Sequence, residues 1–128
     1  MPLEVIYLDS ILNTIKKLLG IQPEYKNFDE DIIVGINTAF ATLNQIGVGP
    51  PEGFMIEDEN QTWADYITSA NLVMVKTYIH QKVKLLFDPP NGSVLDSLKR
   101  SISELEWRLY IEVKENNPQE VIEGESNE

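Results

Sequence analysis

The chain has 128 residues, a mass of 14.6 kDa and 42% apolar residues, which suits one domain with a single hydrophobic core. Its 21 acidic and 10 basic residues give a net charge of -11, which argues against ordinary recognition of nucleic-acid phosphates. The absence of cysteine excludes disulfide scaffolds, zinc ribbons and thiol catalysis. No apolar run approaches the ~18 residues of a membrane span and the N-terminus does not resemble a signal peptide, so we expect neither a membrane partner nor secretion.

The first predicted helix spans Asp9 to Leu19. Its apolar residues recur at helical spacing: Ile11, Leu12, Ile15, Leu18 and Leu19. Lys16 and Lys17 fall in the last turn, where positive charge is favourable against the helix dipole, and Gly20 can take the left-handed conformation that ends a helix. A proline at position 2 also suits a first turn, so a start nearer Leu3 is an alternative.

The second predicted helix spans Asp29 to Ile46, after a linker that contains Pro23. Either Asn27 or Asp29 can cap its N-terminus with a side-chain oxygen, and Gly47 ends it. The apolar residues expected to face the core are Ile32, Ile33, Ile36, Ala39, Phe40, Leu43 and Ile46.

Residues 48–61 are predicted to leave the core as a short excursion. Phe54 to Ile56 have the composition of a short strand, and an acidic turn follows at residues 57–60. Thr62 and Asp65 have the N-cap and N3 spacing of a capping box, with Asp in place of the usual Glu, and they predict a short helix through Ile67.

The third main helix is predicted from about Ala70 to Phe87, and the two prolines that follow Asp88 stop it. Its first half, Leu72 to Val75, is apolar nearly all round, which predicts the central and most buried helix. We expect both Phe87, at its end, and Trp63, on the short helix beside it, to lie in the core.

The last helix is predicted to open with a second capping box, Ser93 to Asp96, and to run to about Lys114. Apolar residues at steps of three and four form a seam for an antiparallel neighbour: Leu95, Leu98, Ile102, Leu105 and Leu109. Residues 115–128 carry five glutamates and no base, which predicts a flexible acidic tail. The predicted fold is thus mainly α: a small four- to five-helix bundle over residues 1–114, a short β-like excursion at about 54–61, and a flexible acidic tail over residues 115–128.

Few residues are suited to catalysis or metal binding. His80 is the only histidine, and no carboxylate that would orient it as a general base is encoded nearby. The acidic run at 57–59 lacks the spacing of a calcium loop, and no nucleotide-binding or zinc-protease motif occurs. We therefore predict no catalytic residue, no cofactor and no metal site.

A basic stripe on the third main helix is the first candidate interface. Lys76, His80 and Lys84 lie four residues apart on one side of the helix. In an acidic protein, this stripe could meet an acidic partner surface or a phosphate. The alternative is that these residues form the solvated side of the helix and pair with the protein's own acids.

The side of the last helix opposite the leucine seam is the second candidate interface. Its residues, at steps of three and four, are Arg100, Ser103, Trp107, Tyr110 and Lys114. Trp, Tyr and Arg are the residue types most enriched in binding hot spots. The alternative is that Trp107 covers a wide core and that Arg100 or Arg108 pairs with Glu104.

Several segments carry a family resemblance. Residues 75–90, VKTYIHQKVKLLFDPP, resemble the signature of head–tail connector, or adaptor, proteins of long-tailed phages, in which a Tyr-Ile helix runs into Phe-Asp-Pro-Pro. Further segments are similar to that family in the same order along the chain: 43–49, 62–66, 93–95 and 104–109. The similarity spans about residues 8–113 and leaves out the acidic extension after Lys114.

The resemblance implies a non-enzymatic virion protein that forms a homo-oligomeric ring, twelve-fold in symmetry, beneath the portal protein. The ring would lie at the capsid–tail junction, or neck, after assembly in the host cytoplasm. DNA would pass through its lumen without specific binding, and a tail-completion (stopper) protein would dock below. A closed ring needs one face of each subunit to meet a different face of its neighbour, and an acidic surface suits a channel that DNA traverses without sticking.

The charge alone suggests an alternative function. An acidic soluble binding module, such as a DNA-mimic inhibitor, would bind a basic partner protein. Such a protein would be monomeric or dimeric, so the oligomeric state separates these two hypotheses. A third hypothesis, a metal-dependent enzyme that uses the acids at 57–59, has the least support.

Overall fold

A computed structural model describes residues 10–67 and 71–116, and within these ranges it contains five helices and no strand. The helices are α1 (Ile11–Leu18), α2 (Asp29–Ile46), α3 (Trp63–Tyr66), α4 (Leu72–Phe87) and α5 (Gly92–Asn116). The predicted mainly α bundle is therefore confirmed. The tail after residue 116 and the alternative start near Leu3 lie outside the described residues.

The core lies between α2, α4 and α5, with α1 packed across α2 and α4. The buried side chains of these four helices include Ile11, Leu12, Ile15, Ile32, Ile36, Ala39, Phe40, Leu43, Val75, Tyr78, Ile79, Val83, Ile102 and Leu109, and Val48, Ile56, Trp63 and Tyr66 belong to the same cluster. α4 contacts α1, α2 and α5, so it is central as predicted, but α2 shares that position. The first half of α4 is not buried all round, because Val73 is 76% exposed.

The N-caps of α1 and α2 are residues that the sequence analysis did not propose as caps. α1 begins later than predicted, because Ser10 is its N-cap and accepts a backbone N–H of the first turn at 3.2 Å. α2 begins at Asp29 as predicted, but its N-cap is Phe28, which provides no side-chain hydrogen bond. The Asn27 side chain donates to the Tyr25 hydroxyl at 3.1 Å instead of capping the helix.

Two glycines are required by the turn that follows α2. Gly47 has a φ of 102°, and its N–H donates to the carbonyls of Leu43 and Asn44, which ends the helix as predicted. Gly49 has a φ of +91°, and a Cβ at that position would lie 2.6 Å from a ring carbon of Tyr66. The chain therefore passes close to α3 only because residue 49 has no side chain.

Residues 54–61 form an excursion, but the strand predicted at its start is wrong. The Asn37 side chain holds Ile56 through both backbone groups: Oδ1 accepts from the N–H at 2.8 Å, and Nδ2 donates to the carbonyl at 3.0 Å. Because one amide satisfies both groups, Ile56 is buried without a neighbouring strand. The only β contact in residues 10–67 and 71–116 is an isolated bridge between Ser10 and Thr62.

The short helix α3 has the predicted capping box. The Thr62 hydroxyl accepts from the Asp65 N–H at 3.2 Å, and the Asp65 carboxylate accepts from the Thr62 N–H at 2.9 Å. Trp63 is buried as predicted, and its indole N–H donates to a hydroxyl of α1 at 3.0 Å. Phe87 is only partly buried, because it lies at the end of the bundle with its ring edge-on to that of Phe28.

The last helix, α5, begins one residue earlier than predicted and ends beyond Lys114. It starts at Gly92, so Ser93 lies inside the first turn and is not the N-cap. Four of the five predicted seam residues face the core: Ile102 and Leu109 are buried, and Leu98 and Leu105 pack partly against the core, whereas Leu95 is not part of it. Among the described helices, none combines the length and apolarity needed to cross a membrane.

Candidate protein–protein interface

α5 presents large apolar side chains on two opposite faces. One face buries Ile102 and Leu109 in the core, while on the other side Trp107 is 60% exposed and Tyr110 is 40% exposed. The alternative that Trp107 covers the core is therefore wrong. A large aromatic side chain that stays mostly in solvent gains little from folding of the monomer, and exposed aromatic patches of this kind are typical of surfaces that contact other molecules.

Trp107 and Tyr110 are organised with respect to each other. Their rings stack with centroids 5.8 Å apart and an interplanar angle of 28°. The ammonium of Lys114 lies 5.4 Å from the centroid of the Tyr110 ring, which is within the range of a cation–π interaction. Arg100 lies about two turns earlier on the helix, and its guanidinium donates to the Ser97 hydroxyl at 3.3 Å. Of the five residues predicted for this face, the structure thus joins Trp107, Tyr110 and Lys114 through ring contacts, and Ser103 lines a groove beside Trp107 and Tyr110.

Grooves flank Trp107 on both sides. The groove towards α4 has a volume of about 500 Å³ and is lined by Met74, Ile111 and Glu112 among other residues. The groove towards α2 has a volume of about 400 Å³ and is lined by residues of α2, including Ile46. We call Trp107, Tyr110, Lys114 and these two grooves the Trp107 surface. It is a ridge between two concave strips, which suits side chains of a partner on either side of the indole.

A hydrogen bond beneath the Trp107 surface fixes α5 against α4. The hydroxyl of Tyr78, a fully buried residue of α4, donates to the Glu106 carboxylate at 2.7 Å. Burial, together with the adjacent Glu106 carboxylate, raises the pKa of the Tyr78 hydroxyl, so it remains a donor at all ordinary pH values. Because Glu106 precedes Trp107 directly, this bond holds the ridge in place before any partner binds.

An exposed ion pair lies beside Trp107, at the edge of this surface. The Arg108 guanidinium donates to the Glu104 carboxylate at 2.8 Å, which is one of the two pairings named as an alternative for the last helix. Both side chains are well exposed, so the pair contributes little to stability. The pair does place polar groups at the edge of an aromatic patch, and protein–protein interfaces typically have such a polar rim around an apolar centre.

The basic stripe of α4 is engaged with the rest of the fold. The Lys76 ammonium lies 5.2 Å from the centroid of the Trp63 ring, and the Lys84 ammonium pairs with Asp88 at 2.9 Å. Burial and the charge of Lys84 lower the pKa of His80, although a hydrogen bond with the Leu18 backbone opposes this shift. Lys84 thus follows the alternative prediction, in which the stripe pairs with the protein's own acids. Because its pKa is lowered, His80 is uncharged at neutral pH.

The acidic turn at 57–59 is explained by local structure. The Gln61 side-chain oxygen accepts from the N–H groups of Glu57 and Asp58 at 2.7 and 2.9 Å. Glu59 pairs with Lys26 at 3.0 Å. In the part of the chain that the structure describes, no group of three or more acidic or histidine side chains is arranged to hold a metal ion.

A buried lysine in α1 was missed by the sequence analysis. Lys16 lies in the last turn of the helix as predicted, but its burial was not predicted: it is 0% exposed. Its ammonium pairs with Asp29 at 2.7 Å and donates to the carbonyls of Pro23 and Tyr25 at 3.0 and 2.7 Å. The pattern did contain a signal, because Lys16 falls four residues after Leu12, on the apolar stripe of the helix.

The fold and the exposed aromatic face of α5 are typical of one class of protein. A small helical bundle whose terminal helix buries one apolar face and exposes a second, aromatic face is the arrangement expected of a subunit that contacts other proteins. A family model described as phage connector protein matches residues 11–116, which is most of the chain, and the chain therefore belongs to the phage connector protein family. This is a family of structural proteins, and the resemblance noted in the sequence is confirmed. No curated protein and no solved structure matched the chain.

Proposed function

We propose that this chain is a head–tail connector subunit that forms a ring beneath the portal protein at the neck of a phage virion. The ring, twelve-fold in the resemblance noted above, extends the DNA channel and provides the platform on which a tail-completion (stopper) protein docks. Assembly takes place in the host cytoplasm. The observation that carries this proposal is the exposed, stacked pair Trp107 and Tyr110 on the outer face of α5.

The Trp107 surface supports this function because the monomer has no use for it. The core face of α5 already buries its leucine seam, and the fixed Tyr78–Glu106 hydrogen bond presents the opposite face as a rigid ridge. Aromatic anchors of this kind supply most of the binding energy of protein–protein interfaces. A structural subunit that must join neighbours or a portal has a direct need for such an anchor.

The net charge of -11 supports the second part of the proposal, passage of DNA. A channel lined by basic residues would bind the phosphates and retard the DNA. An acidic subunit repels the phosphates over a distance of about one Debye length, roughly 8–10 Å at moderate salt. The ring would therefore let DNA slide through its lumen without holding it.

The proposal is tested by co-assembly with the portal protein. Three proteins are mixed with purified portal rings and imaged by electron microscopy. They are the wild-type chain, the double variant Trp107→Ala/Tyr110→Ala, and a control that removes exposed apolar residues elsewhere, Val73→Ala/Val94→Ala. We expect the wild type and the control to form a second ring under the portal, and the Trp107/Tyr110 variant to remain folded but unbound.

Two other results would contradict the proposal. Normal assembly by a folded Trp107/Tyr110 variant would indicate that the interface lies elsewhere, at the stripe of Lys76, His80 and Lys84 or at the 54–61 excursion. A wild-type chain that ignores the portal but binds a basic protein as a monomer or dimer would instead support the acidic binding module.

A further inference from the structure

The turn between α4 and α5 contains the one Asn-Gly pair of the chain, Asn91-Gly92. Both residues are exposed, and Gly92 is the first residue of α5. An asparagine side chain can react with the backbone nitrogen of the residue that follows it, and glycine hinders this reaction least because it has no side chain. The space beside the peptide is open as well, since a Cβ at Gly92 would have no heavy atom within 4 Å.

No hydrogen bond restrains either of the two reacting groups. In the part of the chain that the structure describes, the Asn91 side-chain amide has no hydrogen-bond partner and the Gly92 N–H donates to no acceptor. An asparagine directly before a helix commonly accepts a backbone N–H of the first turn, which would hold its side chain, but Asn91 does not do so. The Asn91 amide can therefore rotate towards the Gly92 nitrogen without breaking a contact.

The position at the start of α5 favours the ionised form of the attacking nitrogen. The reaction requires loss of the Gly92 amide proton, which leaves negative charge on that nitrogen. The first N–H groups of a helix have no partner within it, and the helix dipole places a partial positive charge at this end. α5 has 25 residues and no acidic residue in its first turn, and the nearby Asp88 carboxylate is paired with Lys84. The field at Gly92 therefore stabilises the nucleophile.

We infer that Asn91 is a site of spontaneous deamidation. The Gly92 nitrogen attacks Cγ of Asn91, a C–N bond forms, and the side-chain nitrogen leaves as ammonia, which gives a five-membered succinimide. Water then adds to one of the two succinimide carbonyls and breaks its C–N bond. Opening at the side-chain carbonyl gives aspartate at position 91, and opening at the backbone carbonyl gives isoaspartate. The reaction needs only water, and the inference does not depend on the proposed function.

The two products differ in their effect on the start of α5. Aspartate adds a negative charge before the positive end of the helix, which is favourable. Isoaspartate routes the backbone through the side-chain methylene and so adds one atom to the chain at this turn. Trp107 lies about 22 Å further along the helix, at 1.5 Å per residue. Either product therefore changes the turn and leaves the Trp107 surface intact.

The test follows the ageing of the full-length protein at mildly alkaline pH. Peptide mass mapping measures deamidation at each asparagine, and methylation by protein isoaspartate methyltransferase measures isoaspartate. Asn60 is a matched control within the same chain, because it is also exposed in a turn but is followed by Gln61. The variant Asn91→Gln removes the reactive group, since glutamine would have to form a six-membered ring. The variant Asn91→Asp supplies one of the two products.

We expect Asn91 to deamidate at least about tenfold faster than Asn60, a difference of about 1.4 kcal/mol in activation free energy. Both aspartate and isoaspartate should accumulate, and the rate should rise with pH because the nucleophile is the deprotonated nitrogen. The folded protein should react at least as fast as the same chain in urea, because no hydrogen bond holds the pair and the helix dipole is present only in the fold. Asn91→Gln should show no isoaspartate in this turn, and Asn91→Asp should melt at the same urea concentration as the wild type or a higher one.

Two results would overturn the inference. Deamidation at Asn91 no faster than at Asn60 in the folded protein would show that the pair is not reactive in this turn. Reaction at Asn91 in urea but not in the folded protein would show that the fold holds the pair in an unreactive geometry. These measurements use the isolated chain without a portal, so their outcome is independent of whether the proposed function is correct.

Discussion

α5 and the linker between α1 and α2 both present aromatic rings to solvent, but they do so by different means. On α5, the helical register alone places Trp107 and Tyr110 opposite the leucine seam. In the linker, no periodicity places Tyr25 and Phe28; the buried Lys16 ammonium holds the Tyr25 carbonyl, and Phe28 rests on Phe87. The comparison shows that a surface built on a helix is visible in the sequence, whereas a surface built on a linker depends on tertiary contacts.

The two tryptophans give the largest contrast between core and surface. Trp63→Ala should lower the free energy of unfolding by about 3–5 kcal/mol, because it empties a buried site and removes a hydrogen bond to α1. Trp107→Ala should change it by less than about 1 kcal/mol, because that side chain is largely in solvent. Urea melts of the purified monomer measure both, and equal midpoint shifts would show that the division between core and interface is wrong.

Lys16 tests whether the linker is held by a buried charge. Lys16→Met should destabilise the protein by about 3 kcal/mol, because it leaves the Asp29 carboxylate and two carbonyls without their donor. Lys17→Met, at the exposed neighbouring position, is the matched control and should change stability by no more than about 0.5 kcal/mol. If both variants unfold at the same urea concentration as the wild type, the ion pair does not hold the linker.

Tyr78 tests the hydrogen bond that supports α5 under the Trp107 surface. Tyr78→Phe should cost about 1–2 kcal/mol, because it removes a buried hydroxyl that donates to a carboxylate and keeps the ring. Tyr110→Phe is the matched control: it removes the hydroxyl of a partly exposed tyrosine on α5 and should have almost no effect on the melt. A Tyr78→Phe protein as stable as Tyr110→Phe would mean that Glu106 does not anchor the helix.

His80 gives the smallest effect, a dependence of stability on pH. Its pKa is lowered in the folded protein, so the unfolded state takes up a proton more readily below about pH 6.5. The free energy of unfolding should therefore fall as pH falls through about 6.5 and rise as pH rises through it. His80→Gln should remove this component, and the difference between wild-type and variant melts between about pH 5.5 and 7.5 measures it. No difference across that window would contradict the burial of His80.

The sequence predicted most of the helices and one of the two aromatic surfaces. The bounds of α2, the capping box of α3 and the seam of α5 follow from local patterns, and the structure has all three. The strand at Phe54 to Ile56 was wrong because a side chain from α2, Asn37, satisfies the Ile56 backbone, and a local pattern contains no information about such a distant partner.

The errors at the helix ends have related causes. A choice between adjacent cap residues depends on contacts made elsewhere: Asn27 bonds to Tyr25, which leaves Phe28 as the N-cap of α2. The burial of Lys16 was not predicted, because the partners of its ammonium, Asp29 and two linker carbonyls, come from residues beyond the helix. For the Trp107 surface, the sequence predicted which residues face outward, but the grooves beside the indole arise only when α2 and α4 pack against α5.

The most direct test of the central claim, that the Trp107 surface is an assembly interface, is the solvent accessibility of Trp107 itself. The chain has two tryptophans, so Trp63→Phe leaves Trp107 as its single tryptophan, which can be excited at wavelengths that the five tyrosines do not absorb. Acrylamide quenching of its fluorescence is then measured in the dilute monomer and in the ring assembled on a portal variant without tryptophan, so that the signal comes from Trp107 alone. We predict strong quenching in the monomer and protection with a blue-shifted emission in the assembly. Equal quenching in both states would show that Trp107 stays in solvent, and would contradict the account.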